Sequence, residues 1–464
     1  TGKDGLNPTE ERHPVTAIDE ALPTATDTRA ALVSRDAIAE TGRLFVDVFG
    51  DVPALVVADD NTWGVAGAAV VASLVGAGVD VLDPYVFAGT PTLYADYGNV
   101  VRLREHAATT DAVILVVGSG TLNDIAKLAS GELGRPYGVV ATAASMDGYA
   151  AFGASITRDG FKITRTCPAP ALVLAALDVM ATAPGRLTAT GYGDLVEKVP
   201  AGADWVIADE LGIEAIDRAV WNLVQPPLRH ALGDPSGCAA GDVDAIRGLA
   251  EGLLLSGLAM QAHQSSRPAS GAGHNFSHQW EMEGHGLDWE PPLTHGIKVG
   301  LGTIASCALY EVVLGLDVSV VDPEARAAAW LSPEADEARV RALQPVPAIQ
   351  EPAVEQSRLK YVPAGEVADR VRAIQAAWPR IVERVRPLLL PAAEVASRLH
   401  VVGAAYHPAQ VGISQSRLRR TYLQAQTIRS RYTILDALYE LGLLDSVVDT
   451  LFAEGGYWSD WPER

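Results

Sequence analysis

The sequence predicts an open parallel α/β sheet followed by an all-helical lobe, and three observations carry that expectation. Between about residues 50 and 180, continuous apolar runs alternate with helical patterns, which suits strands covered on both faces and joined by crossover helices. Beyond residue 185 the strand signals fade and long Ala/Leu/Glu/Arg stretches of helical periodicity take over. A chain of 464 residues is long enough for two or three such units.

Residues 1–45 read as a polar, Pro-punctuated tail and a leading helix. DVPALVVADD (51–60) follows as a buried strand ending in two carboxylates, and WGVAGAAVVASLVGAG (63–78) as a small-residue helix. VDVLD (79–83) is a short second strand. DAVILVV (111–117) is a covered strand that runs into GSG and then a helix, TLNDIAKLAS (121–130). PYGVVAT (136–142) repeats that strand type. In the second half, residues 243–263, 366–391 and 419–452 have helical periodicity, whereas the acidic, Pro-dotted stretch 319–365 reads as a surface excursion. The divisions are therefore 1–45, an α/β domain over 46–185, and a helical domain over 186–464.

Composition narrows the function classes. The chain is 48% hydrophobic and 20% charged, an ordinary globular balance. A formal net charge of −21 argues against nucleic-acid or anionic-membrane partners, so an anionic substrate needs a local positive pocket. Cys167, Cys238 and Cys307 are widely separated, with no zinc-ribbon spacing, and read as buried small hydrophobes in a reducing compartment. No apolar run reaches the roughly 18 residues of a membrane span. The N-terminal TGKDGLNPTEERHP has no apolar region of the signal-peptide kind, so the expectation is a soluble, cytoplasmic protein.

Several groupings could carry chemistry. Gly118, Ser119 and Gly120 lie between a strand and a helix, where glycines let a phosphate approach the helix N-terminus. Leu122 and Asn123 interrupt the dinucleotide fingerprint, and a merely tight turn is the plain alternative. Thr142, Ser145 and Asp147 gather at the end of the next strand, either facing a ligand or capping a helix. Asp194 and Lys198 share a helical face at i,i+4, as a site pair or a surface ion pair. Half of the 10 histidines lie between His263 and His295. His274 and His278 share a face at i,i+4, and His295 follows His274 by 21 residues. Two imidazoles from separate helices plus one carboxylate make a three-ligand site for a borderline divalent cation, with positions left for substrate.

Together these stretches resemble the sn-glycerol-1-phosphate dehydrogenases, of the bacterial type. That family lies within the superfamily of dehydroquinate synthase-like and iron-containing alcohol dehydrogenase proteins. The resemblance is carried by VADDNTWGVAG (57–67), VVGSGTLNDIAK (116–127), TAASMDGYA (142–150), GYGDLVEKVPAGADW (191–205), SSRPASGAGHNFSHQWEM (265–282) and HGIKVGLGT (295–303). IRSRYTILDAL (428–438) resembles the family's C-terminal helix.

The resemblance implies a Rossmann-like nucleotide-binding domain, a helical domain and an active site in the cleft between them, the dehydroquinate synthase-like fold. It implies Asp194, His274 and His295 as ligands of one divalent metal (Zn, Ni, Fe or Co), and Asp147, His278 and Lys198 on the substrate side. Cofactor positions are implied at Asp59, Gly118, Ser119, Gly120, Thr121, Asp124, Thr142 and Ser145. A carboxylate at Asp59 would favour NAD(H) over NADP(H) by repelling a 2′-phosphate. The implied reaction is reversible, NAD(P)H-linked reduction of dihydroxyacetone phosphate, its phosphate held by Lys198, Arg267 or Lys298. A homodimer through the helical part is a further expectation.

Two positions depart from the family pattern. Gly273 stands where an acid often precedes the first metal histidine, and Ala151 where a hydroxyl is frequent. The alternatives are a related polyol, sugar or phosphonate substrate, a cyclitol-synthase-type reaction, and a non-catalytic relative. A complete ligand set argues against the last. His285, in the insert EMEGHGLDWEPPLT (281–294), reads as a loop histidine.

Overall fold

Among the residues that the computed structural model describes, 16–158 and 161–461, eight strands form. They are β1 (Ala30–Ser34), β2 (Ala54–Asp59), β3 (Tyr85–Phe87), β4 (Val113–Gly118), β5 (Tyr137–Ala141), β6 (Ala154–Arg158), β7 (Phe161–Arg165) and β8 (Leu172–Ala176). Six make one parallel sheet in the order β1-β8-β5-β4-β2-β3, while β6 and β7 pair as an antiparallel hairpin. From β2 the chain adds β3 on one side, then crosses to place β4 on the other. That reversal opens a crevice between the carboxyl ends of β2 and β4, the usual ligand position in such sheets.

The continuous apolar runs are explained by two-sided burial. Along β4, Ile114 and Val116 face one core, and Val113, Leu115 and Val117 the other. One core is closed by the helices Tyr97–Ala107 and Gly120–Glu132, through Val100, Leu103, Ile125 and Ala129. The other is closed by Thr41–Phe49 and Ala68–Gly76, through Phe45, Val70 and Leu74. Each buried Val, Leu, Ile or Phe side chain among these contributes about 1.5–3 kcal/mol.

The structure departs from the sequence expectations at three places. Residues 30–34, expected within the tail and leading helix, form the edge strand β1, paired with β8 from Ala30–Leu172 to Ser34–Ala176. Residues 1–15 of that expected tail lie outside the described residues. VDVLD makes only a bridge, Val81 to Ala54, and the edge strand is β3 just beyond it. The stretch 319–365 is helical: Pro323–Ala328, Pro333–Leu343 and Pro347–Arg358 each begin on a proline. Proline fits the first turn because its missing N–H has no partner to lose there.

After β8 the chain is helical. The Gly185–Val196 and Lys198–Glu210 helices pack against Val243–His263, Ala272–Met282 and His295–Val313. His295–Val313 is long and apolar enough to cross a membrane by length and composition, but 83% of that stretch is buried inside the protein. Through Leu301, Ile304 and Leu309 it packs in the same core as Ile114 and Val116.

Candidate functional site

Small residues bring the site together. A Cβ on Gly193 would stand 2.3 Å from the carbonyl oxygen of Gly296, so the glycine lets the Gly185–Val196 helix touch the start of His295–Val313. This contact sets Asp194 beside His295. Gly191 does the same for the β5 loop, where a Cβ would lie 1.9 Å from the Ala144 oxygen. That approach brings Asp147 to Asp194, whose Oδ2 accepts the Asp147 amide at 3.0 Å.

Asp194, His274 and His295 each offer a ligand atom, and these atoms all lie within 4.8 Å of one another. His274 Nε2 is 3.5 Å from Asp194 Oδ1. His278 completes a cluster of imidazoles, with ring centroids 5.9 Å from His274 and 5.5 Å from His295. An N/O donor triad at this spacing, from rigid helices, fits a divalent cation with open positions. The expected metal ligands thus converge, and His278 stands next to them without joining the triad.

Lys198 lies between two carboxylates. Its ammonium is 2.7 Å from Asp147 Oδ2 and 3.0 Å from Asp194 Oδ1, and it donates to the Asp194 carbonyl at 2.9 Å. Burial alone would lower its pKa, but the charges of Asp147 and Asp194 outweigh it and raise the value, so the ammonium persists. Burial would likewise raise the Asp194 carboxyl, and Lys198 and His295 reverse the sign and lower it. Asp147 also accepts the Ser256 hydroxyl at 3.1 Å. His274 is held neutral by burial and by Lys198, and His278 by burial and Arg429.

Three buried or half-buried charges that the sequence did not single out complete the surroundings. Glu197 Oε1 lies 3.5 Å from His274 Nδ1, and burial with Asp204 nearby pushes its carboxyl up to about 8. Glu281 Oε1 lies 2.8 Å from His295 Nδ1, and its Oε2 is 3.3 Å from His278 Nδ1. Arg429 is near enough for its charge to act on both Glu281 and His278. The available signal was charge inside an apolar stretch, as with Glu197 in LVEKVPAG.

The phosphate candidates named from the sequence are mostly committed to the fold. Arg267, 1% exposed, donates to the carbonyls of Tyr432 (2.8 Å) and Asp204 (2.9 Å) and lies 3.3 Å from Glu214. Lys198 is fully buried between its carboxylates, and Lys298 is buried on the His295 helix. Asp194 and Lys198 are thus a buried pair rather than the surface ion pair that spacing alone allowed. His285 bonds the Val411 carbonyl (2.8 Å) and Arg417 (3.0 Å), outside the imidazole cluster.

At the sheet edge, Asp59, Gly118 and Ala141 end β2, β4 and β5 on one side. Asp59 caps the turn after β2, accepting the Thr62 amide at 2.8 Å. Ser119 is the N-cap residue of Gly120–Glu132 and makes no side-chain capping bond. A Cβ on Gly120 would meet Met146 Sδ at 2.7 Å, so that glycine also serves packing. Thr121 is the second residue of the same helix; Thr142 is buried, and its amide donates to the Gly118 carbonyl at 3.1 Å. Ser145 pairs with Tyr149 at 3.1 Å, inside the loop. Asp124 accepts the Ser155 amide at 3.4 Å, which ties its helix to the β6–β7 hairpin. Lys127, unnoticed in the sequence, donates to the carbonyls of Gly148 (2.6 Å), Ala151 (2.7 Å) and Gly153 (3.2 Å) and so fixes the loop carrying Asp147.

Comparison with known proteins agrees with this architecture. Residues 32–184 match the family model described as iron-containing alcohol dehydrogenase. The glycerol-1-phosphate dehydrogenase, NAD(P)+, of Halalkalibacterium halodurans is 39% identical over 257 residues, 55% of this chain and 64% of that protein. The same-named protein of Bacillus velezensis is 35% identical over 260 residues, again 55% and 64%. The match thus spans just under two thirds of these relatives. A third, from Geobacillus stearothermophilus, is 29% identical over 351 residues, covering 75% of this chain and 76% of that one.

Among solved structures, glycerol dehydrogenase from Schizosaccharomyces pombe superposes with a TM-score of 0.56 at 18% identity, covering 95% of this chain and 93% of that one. Maleylacetate reductase from Agrobacterium tumefaciens gives 0.57 at 14%, covering 93% and 97%. These two share the fold. The parallel sheet and helical second half are thus the fold of these structures, and the sequence is similar to iron-containing alcohol dehydrogenases over residues 32–184 and to glycerol-1-phosphate dehydrogenases over a little more than half of the chain.

Proposed function

We propose that this chain is a metal-dependent dehydrogenase that reduces dihydroxyacetone phosphate to sn-glycerol 1-phosphate, reversibly, with NAD(P)H. The observation that carries the reading is the convergence of Asp194, His274 and His295 beside Asp147 and His278. A divalent cation held by Asp194, His274 and His295 would supply Lewis-acid polarisation of the substrate oxygen. The nicotinamide cofactor would supply or accept the hydride.

The chain's own residues do the rest. Lys198 fixes the Asp147 carboxylate toward the triad, where it can accept a substrate hydroxyl hydrogen. His278, half-buried and held neutral, takes or gives a proton at its ring nitrogen, and Glu281 holds its Nδ1 side. The glycine turn Gly118–Gly120, with Thr121, Thr142 and Ser145 beside it, lies at the crevice between β2 and β4 and would receive the cofactor pyrophosphate. Asp59, at the other lip of that crevice, would accept the adenine-ribose hydroxyls and favour NAD(H). Arg429, on the His278 side, would hold the substrate phosphate in place of the committed Arg267 and Lys198.

A second reading, an unphosphorylated polyol or sugar substrate, is favoured by one observation: Arg267 and Lys198 are both locked in buried contacts. The deciding experiment follows NADH oxidation with dihydroxyacetone phosphate and with dihydroxyacetone, on protein stripped of metal and reloaded with Zn or Ni. Metal-dependent oxidation that requires the phosphate is expected. Equal rates on both ketones would support the second reading, and silence on both, with metal and NADH bound, would refute the dehydrogenase reading for these substrates.

A further inference from the structure

Behind the donor triad stand two buried glutamates that do not belong to it. Glu197 is fully buried, Glu281 nearly so. Each faces the Nδ1 atom of one triad imidazole: Glu197 Oε1 at 3.5 Å from His274, Glu281 Oε1 at 2.8 Å from His295. His274 Nδ1 is buried without a hydrogen bond, so Glu197 is the acceptor a small ring rotation would give it. A carboxylate on Nδ1 holds the proton there, leaves the lone pair on Nε2, and makes that nitrogen a better donor. His274 Nε2 is the atom turned toward Asp194.

We propose that Glu197 and Glu281 are paired positioning residues, one behind each ligand histidine, which fix both imidazoles as Nε2 donors. This rests on the metal-site reading above. A separate observation shows that space was left for the first of them. A Cβ on residue 273 would lie 2.3 Å from Glu197 Oε2, so Gly273 is what admits the carboxylate. Glu197 otherwise accepts the amides of Gly271 (3.1 Å) and His274 (3.2 Å) and the Thr303 hydroxyl (3.1 Å). Those bonds describe a helix-start anchor, and a neutral amide could keep most of them. The positioning role needs the ionised carboxylate, the form that a divalent cation held by His274 would favour over the neutral one that burial favours without it.

Glu197→Gln and Glu281→Gln therefore separate the two roles. The full chain is stripped of metal and titrated with Zn2+ against a chromophoric chelator, and the Co2+-loaded forms are compared by their visible ligand-field spectra. Each variant is expected to bind Zn2+ about 10–100-fold more weakly and to shift the Co2+ bands. Wild-type affinity and spectrum in both would overturn the inference. If Glu197→Gln does not fold, Glu281→Gln decides on the same readouts. Asp194→Asn separates this from the underlying reading. If it too leaves Zn2+ affinity intact, the metal site itself is wrong and the inference goes with it. If it abolishes binding while both glutamine variants bind normally, only the inference is lost.

Discussion

The ammonium of Lys198 lies 2.7 Å from the Asp147 carboxylate, and by that contact a helix of the second half holds the loop after β5. The same nitrogen reaches Asp194 at 3.0 Å, so one cation neutralises two carboxylates at the centre of the site. Replacing it by methionine would leave both charges facing each other in a buried setting. The Lys198→Met variant is expected to lose about 3–5 kcal/mol in urea unfolding, because removing one partner of a buried ion pair costs far more than the pair itself contributes. A loss under about 1 kcal/mol would contradict this electrostatic arrangement.

Cofactor choice is expected to depend on Asp59. Serine at this position keeps an N-cap oxygen for Thr62 but removes the charge. Asp59→Ser should therefore raise the ratio of kcat/KM for NADPH to that for NADH by at least about tenfold, or about 1.4 kcal/mol. An unchanged ratio would place the adenine ribose elsewhere.

Phosphate recognition is expected at Arg429. Arg429→Met should raise KM for dihydroxyacetone phosphate by about tenfold or more and leave dihydroxyacetone unaffected, as expected for loss of one charge-assisted contact. Equal effects on both ketones would assign Arg429 to orienting His278 and Glu281 instead.

Much of this was legible in the sequence, for a physical reason. β2, β4 and β5 are covered on both faces, so their apolar runs are unbroken and easy to read. β1 is a half-buried edge strand of five residues, too weakly patterned to separate from the helix beside it. Pro323, Pro333 and Pro347 lie in the stretch that reads as a Pro-dotted surface excursion, although each starts a helix. Within the site, Asp194, His274 and His295 stood out through spacing and resemblance. Glu197, Glu281 and Lys127 did not. Their meaning lies in contacts with chain segments far away, such as Glu197 with Thr303, and no local pattern encodes those.

A pH-dependent stability term is expected from Glu440, away from the site. Burial pushes its carboxyl up to about 7, while Tyr432 donates a hydrogen bond to it at 2.6 Å. A carboxyl whose folded pKa lies above its unfolded one is favourable while protonated and costs stability as pH rises from about 4.5 to about 7. Glu440→Gln should thus unfold at nearly the wild-type temperature near pH 5 and at a higher one near pH 8, by up to about 3 kcal/mol. A gap independent of pH would show that Glu440 is ionised throughout.

The central claim is that Asp194, His274 and His295 hold a divalent cation while His278, 5.9 Å from His274, does not. Metal content per chain, measured by mass spectrometry on the wild type, His274→Ala and His278→Ala after identical loading and desalting, tests it most directly. About one ion per chain is expected in the wild type and in His278→Ala, and close to none in His274→Ala. Full metal content in His274→Ala would contradict the site.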